Sequence, residues 1–91
     1  MTKTGTNRRK EVRSPASGLV RITIQNDFES SLEGELLDIS KGGFRMAHTH
    51  PGLERGAEVQ FRHPLAEGRA RVLWNRLFAG KSETGFLILE D

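Results

Sequence analysis

From Leu19 onward the apolar residues recur at every second position, in short runs cut apart by glycine, proline and asparagine. That period belongs to a half-buried β-strand; the buried face of a helix needs spacings of three and four. In LVRITI, Val20, Ile22 and Ile24 share one face while Arg21 and Thr23 take the other. Asn26 to Glu29 carry turn chemistry, and a second run follows from Leu32 to Ile39. Ser40 to Gly43 break it, and Gly43 to Ala47 restart the alternation with Phe44 and Met46 together. Pro51, Gly52 and Gly56 bound a longer connection with room for one short helical turn. Ala57 to Arg62 pair Val59 with Phe61. After punctuation at Pro64 and Gly68, Arg69 to Phe78 set Ala70, Val72 and Trp74 against Arg71, Leu73 and Asn75. Gly80 to Thr84 read as a turn before the last run, Gly85 to Leu89.

Six short strands without a long amphipathic helix predict an all-β, six-stranded antiparallel barrel, because closure removes the unpaired edges that an open sheet would leave. A β-sandwich is the structural alternative. Ninety-one residues suffice for one modest core, so a single domain is expected: a barrel over residues 19–91, preceded over residues 1–18 by a flexible basic arm. In the first thirteen residues Lys3, Arg8, Arg9, Lys10 and Arg13 stand against Glu11, a net charge of +4 that leaves −2 for the remainder. Such an arm suits an anionic partner, or is a solvated tail.

The absence of cysteine excludes disulfides, thiolate metal sites and cysteine nucleophiles. No stretch is long and apolar enough to span a bilayer, and MTKTGTNRRK has no apolar signal segment, so a cytoplasmic protein without membrane insertion is expected. His48 and His50 would share a face on a strand, but spacing offers no third ligand and Thr49 to Gly52 read as a turn, so no metal is expected. His63 stands alone beside Pro64. No serine has a recognisable base and orienting acid, so the chain is not expected to be an enzyme.

Two constellations remain. Arg9-Lys10-Glu11-Val12-Arg13 gives an Arg-x-x-x-Arg spacing just before the first strand, with Arg8 ahead of it. Asp38-Ile39-Ser40-Lys41-Gly42-Gly43 gives Asp-x-Ser-x-x-Gly at the turn between the second and third strands. With the strands LVRITI, ARVLW and GFLIL, these motifs resemble the PilZ family over nearly the whole chain. The resemblance implies a PilZ-type barrel that binds cyclic di-GMP as its ligand, with no other cofactor, and signals to a downstream protein by changing the conformation of the arm. The alternative is a PilZ-like interaction barrel that binds no nucleotide. A basic arm would also serve a small-barrel nucleic-acid binder, but the aromatics fall mostly at buried alternating positions, so no nucleic-acid partner is expected.

The chemistry agrees with that implication. Cyclic di-GMP is a dianion with two guanines, and a guanidinium can hold phosphate bidentately, donate to guanine O6 and N7, or stack on the base. By similarity, Arg9 and Arg13 form the clamp. Asp38 can accept from guanine N1–H and N2–H2, Ser40 can donate or accept, and Gly42 and Gly43 would supply positive φ and room for close approach; the plain alternative is an Asx turn in a hairpin. In the family, an arginine at the position of Arg8 accompanies two intercalated ligands; otherwise Arg8 is one more solvated charge. Trp74 alternates with Val72 and Ala70, which points to core packing, whereas at the rim its indole would flank a guanine. Arg45 and Arg71 read as exposed strand residues that would add positive potential if they faced the same side. No C-terminal helix follows the last strand, so oligomerisation through one is not expected.

Overall fold

The computed structural model describes residues 12–24, 30–50 and 53–90. Seven strands run in chain order: β1 (Ser14–Pro15), β2 (Leu19–Ile24), β3 (Ser30–Ile39), β4 (Gly43–His48), β5 (Glu58–His63), β6 (Ala66–Phe78) and β7 (Lys81–Leu89). All pairings are antiparallel, and β3 joins both β2 and β4, so β3-β2-β5-β6-β7-β4 close into the expected six-stranded barrel. No helix occurs among the described residues, including the described part of the connection after β4. β1 lies on the same side of β3 as β2, further along: Ser14 and Pro15 face Ile39 and Asp38, while β2 covers Glu35 back to Ser30. Between them, Ala16 N–H donates to the Leu37 carbonyl (3.1 Å) and Leu36 N–H donates to the Gly18 carbonyl (2.9 Å). The chain just before the barrel is therefore laid along β3.

Alternation places Val20, Ile22, Leu36, Phe44, Met46, Val59, Phe61, Ala70, Val72 and Phe86 inside. Phe44 is their hub, stacked on Phe86 (4.7 Å between centroids) and tilted against Phe61 (4.8 Å). Each such burial contributes about 1.5–3 kcal/mol toward offsetting the entropy of ordering the strands.

Two strand limits differ from expectation. The turn expected over Gly80 to Thr84 shrinks to Ala79 and Gly80, and Ser82 and Thr84 continue β7 with inward side chains. Their hydroxyls are satisfied inside: Ser82 Oγ donates to the His50 carbonyl (3.0 Å) and Thr84 Oγ1 to Asn75 Oδ1 (2.7 Å). Partnered hydroxyls can occupy a buried face that apolar counting assigns to a loop. The turn around Pro64 is only Pro64 and Leu65, and Gly68 lies within β6, opposite Phe61.

Candidate ligand-binding site

In β3, Leu36 faces Met46 but the next registered pair is Asp38 with Arg45, so Leu37 is an extra residue, a β-bulge. Leu36 points into the core. By simple alternation Asp38 would follow it; the bulge turns Asp38 outward and lets Ile39 rejoin the inner side, opposite Phe44. β6 repeats the device: Val72 faces Phe86, the next registered pair is Trp74 with Gly85, and Leu73 is the extra residue. The core position that alternation gives to Trp74 is thus corrected. Its indole lies on the outer side over Gly85, whose missing side chain makes the room: a Cβ there would come within 2.4 Å of both Cε2 and Nε1.

The two bulges bring separate parts of the sequence into one row across the outer surface, Asp38, Arg45, Gly85 and Trp74 on β3, β4, β7 and β6. Pro15 of β1 pairs with Asp38 at its end. Arg13, just ahead of β1, reaches back over the row: its Nε donates to Asp38 Oδ1 (3.0 Å) and its Nη1 to Ser40 Oγ (3.4 Å). The Arg13, Asp38 and Ser40 of the two motifs, far apart in sequence, are therefore in direct contact. Arg8 and Arg9 lie outside the described residues.

Arg45 is the residue that sequence reasoning undervalued. Its Nε donates to Asp38 Oδ2 (2.9 Å), and its Nη1 lies 3.7 Å from Glu83 Oε1, the same oxygen that Arg76 Nη2 contacts at 2.8 Å. Asp38 thus has a guanidinium on each oxygen. Burial alone would raise its carboxyl; the hydrogen bonds and charges of Arg45 and Arg13 outweigh that and hold it below the ordinary carboxylate value. Arg45 is correspondingly held charged by Asp38. Only the bulge at Leu37 sets Arg45 opposite Asp38, and no pattern within the β4 segment announces it. Gly85 carries a signal only once Ser82 to Thr84 are placed in the strand, since a glycine inside a strand marks a bulge or a close approach. Arg71 behaves as an exposed strand residue and pairs with Glu58 (2.9 Å).

The β3–β4 turn is closed by Ser40 N–H donating to the Gly43 carbonyl (2.9 Å). The positive φ expected at its glycines is not found: it falls at Gly18, Gly56, Gly68 and Gly80 instead. What Gly43 supplies is close approach, for a Cβ there would lie 2.0 Å from the Phe86 carbonyl oxygen of β7. Gly42 extends that contact by accepting from Ile88 N–H (2.8 Å).

The histidines do other work. His48 is buried, and because the Thr84 hydroxyl donates to Asn75, His48 Nε2–H is the donor to Thr84 Oγ1 (2.7 Å). His50 lies past the end of β4 and is exposed, and the described residues hold no group of three potential metal ligands. His63 is packed against Phe44 and Phe61, with Nδ1 accepting from Leu65 N–H (3.1 Å). A concavity of about 900 Å³ lies over β2, β5 and β6, away from the row. Its Arg21 and Arg62 are engaged by Glu33 and Glu67, so chemistry and not depth identifies the candidate site.

A small closed antiparallel barrel with Arg13 laid onto an Asp-x-Ser-x-x-Gly turn defines a class of β-barrel module. The PilZ domain model matches residues 7–87, and the chain belongs to that family. Comparison with curated proteins gives no match. Among solved structures, the chain is similar to the PilZ domain of YcgR from Escherichia coli with c-di-GMP, at 18% identity and a TM-score of 0.72, covering 92% of this chain and 79% of that one. It is also similar to YcgR of Escherichia coli in complex with c-di-GMP, at 20% identity and a TM-score of 0.72, covering 91% of this chain but only 38% of that one. At these identities the likeness is one of fold.

Proposed function

We propose that this domain is a receptor that binds cyclic di-GMP on the outer row and transmits the event to a partner protein through the rearranged arm, acting by binding and not by catalysis. The observation that carries the reading is the contact of Arg13 with Asp38 and Ser40, which joins the two family motifs at one point. Support also comes from family membership and from the ligand named for the two similar YcgR structures.

The geometry suggests how binding proceeds. A phosphate competes with Asp38 for Arg13, and a bidentate guanidinium–phosphate pair satisfies Arg13 as well as the carboxylate did. Arg45 keeps hold of Oδ2, so the departure of Arg13 leaves Oδ1 free to accept from guanine N1–H and N2–H2. The Trp74 indole offers an apolar plane beside the base, and Gly85 keeps the floor low. Arg9 completes the clamp by family similarity, and Arg8 contacts a second nucleotide stacked on the first. Because Arg13 directly precedes β1, its change of partner is felt by the arm.

Calorimetric titration with cyclic di-GMP tests this. Saturable binding at two nucleotides per chain, falling toward one in Arg8→Ala, is expected. No heat at high ligand would leave the interaction barrel without nucleotide as the surviving reading, and saturation at one in the parent would return Arg8 to the solvated charges.

A further inference from the structure

The β6–β7 hairpin ends in Arg76-Leu77-Phe78-Ala79-Gly80-Lys81, so four consecutive residues without a polar side chain are bounded by two cations. Leu77 and Phe78 are 77% and 61% exposed. Phe78 pairs with Lys81, and both loop residues have positive φ, 53° at Ala79 and 79° at Gly80, the pattern of a two-residue type I′ turn whose twist matches the strands. A residue other than glycine at positive φ is enriched in Asn and Asp. Here it is Ala, so even this position gives the apex no polar side chain.

Strand alternation sends Leu77 and Phe78 to opposite faces of the hairpin, with Arg76 on the Phe78 side, its guanidinium carbon 5.8 Å from the ring centre. A flat protein surface laid against one face would leave the other apolar residue in water. A medium that surrounds the apex removes both from water, and since Arg76 is already paired with Glu83 (2.8 Å), it is Lys81, one step behind the apex, that calls for negative charge at that depth. We propose that this hairpin apex is a membrane-contact wedge: Leu77 and Phe78 enter the boundary between headgroups and acyl chains of an anionic bilayer, with Lys81 at the level of the lipid phosphates. Two apolar side chains at the tip of a hairpin are far too short a segment to span a bilayer, so the contact is interfacial and reversible. The inference is independent of the nucleotide reading, because neither apolar residue belongs to the outer row.

Co-sedimentation of the full chain, without nucleotide, with phosphatidylcholine vesicles containing or lacking phosphatidylglycerol tests it. Binding that needs phosphatidylglycerol and weakens with salt is expected. Leu77→Ser with Phe78→Ser should lower partitioning by about tenfold or more, and Lys81→Glu should lower it on the anionic vesicles; the amide circular dichroism of each variant checks that the fold is kept. The proposal is overturned if the parent stays in the supernatant with both vesicles, or if the double variant partitions like the parent, which would assign the binding to cations elsewhere. It is equally overturned if the double variant changes only the oligomeric state in gel filtration, since the apex would then be covered by a second copy.

Discussion

Gly85→Ala adds a single carbon at the point where the indole of Trp74 rests. The new Cβ would lie 2.4 Å from Cε2 and Nε1 and 2.7 Å from Cζ2, so the ring must lift from β7. Gly85 is not among the glycines with positive φ, so no backbone strain confuses the result. A tryptophan buries about 150–250 Å² in a folded protein. Exposing one face of the ring, roughly 100 Å², at about 25 cal/mol/Å² removes up to ~2.5 kcal/mol; contacts regained by the relaxed ring reduce this to ~1–2 kcal/mol. For a domain of this size that lowers Tm by about 5–15 °C. If the ring also flanks a guanine, its displacement costs about 1–3 kcal/mol of stacking, a five- to 150-fold loss of affinity. Trp74 is the only tryptophan and the chain has no tyrosine, so intrinsic emission reports this one ring. The variant should emit further to the red, melt earlier and bind cyclic di-GMP more weakly. A variant with the parent's emission maximum and Tm would refute the placement of the indole on Gly85; one with shifted emission but unchanged affinity would remove Trp74 from the ligand site.

Arg13→Ala and Arg9→Ala should each weaken cyclic di-GMP binding by about one to two decades, from the loss of a charge-assisted contact worth about 1.5–3 kcal/mol; equal titration curves for a folded variant and the parent would sink the clamp. Asp38→Asn should bind more weakly and also change the acid limb of stability. The folded carboxyl titrates below its unfolded value of 3.8, so its stabilisation is complete above that pH and is lost as pH falls through the folded value. Melting curves at descending pH should therefore fall less steeply in the variant, and parallel curves would contradict the double-arginine bridge. His63 is held below 6.5 by burial, so the unfolded chain takes up its proton first, and stability should drop as pH falls from 6.5 toward the folded value. In His63→Leu that part of the drop should be smaller, whatever the cost of the lost Leu65 bond at neutral pH; an unaltered slope in chemical denaturation between neutral and mildly acid pH would count against a neutral, buried imidazole.

The strands were legible because Val20, Ile22, Phe44, Met46, Val59 and Phe61 keep a strict alternation, and barrel closure follows from leaving no edge unpaired. Asp38 and Ser40 were legible as chemistry, since a carboxylate and a hydroxyl beside glycines at a turn invite a ligand. Arg45 was not, because its importance comes from standing opposite Asp38, and that register depends on the bulge at Leu37. Trp74 was misplaced for the same reason: two-residue counting from Val72 points it inward, and the bulge at Leu73 reverses it. Ser82 and Thr84 look like a loop in the sequence because polarity alone does not show the partners that make burial tolerable.

The two bulges make residue count, more than residue identity, the code for this surface. Removing Leu37 or Leu73 takes out the extra residue and restores plain alternation, so Asp38 would still face Arg45, and Trp74 would still face Gly85, from the outer side. A further residue inserted beside either bulge has no such outlet: it slips the register and moves Asp38 off Arg45 or Trp74 off Gly85, or it enlarges the bulge, and in a closed barrel a slip on one strand is felt by both neighbours. Single-residue insertions beside Leu37 and Leu73 are thus the lesions to which the outer row is most exposed, while loss of either leucine, or an exchange of its side chain, leaves the row in place.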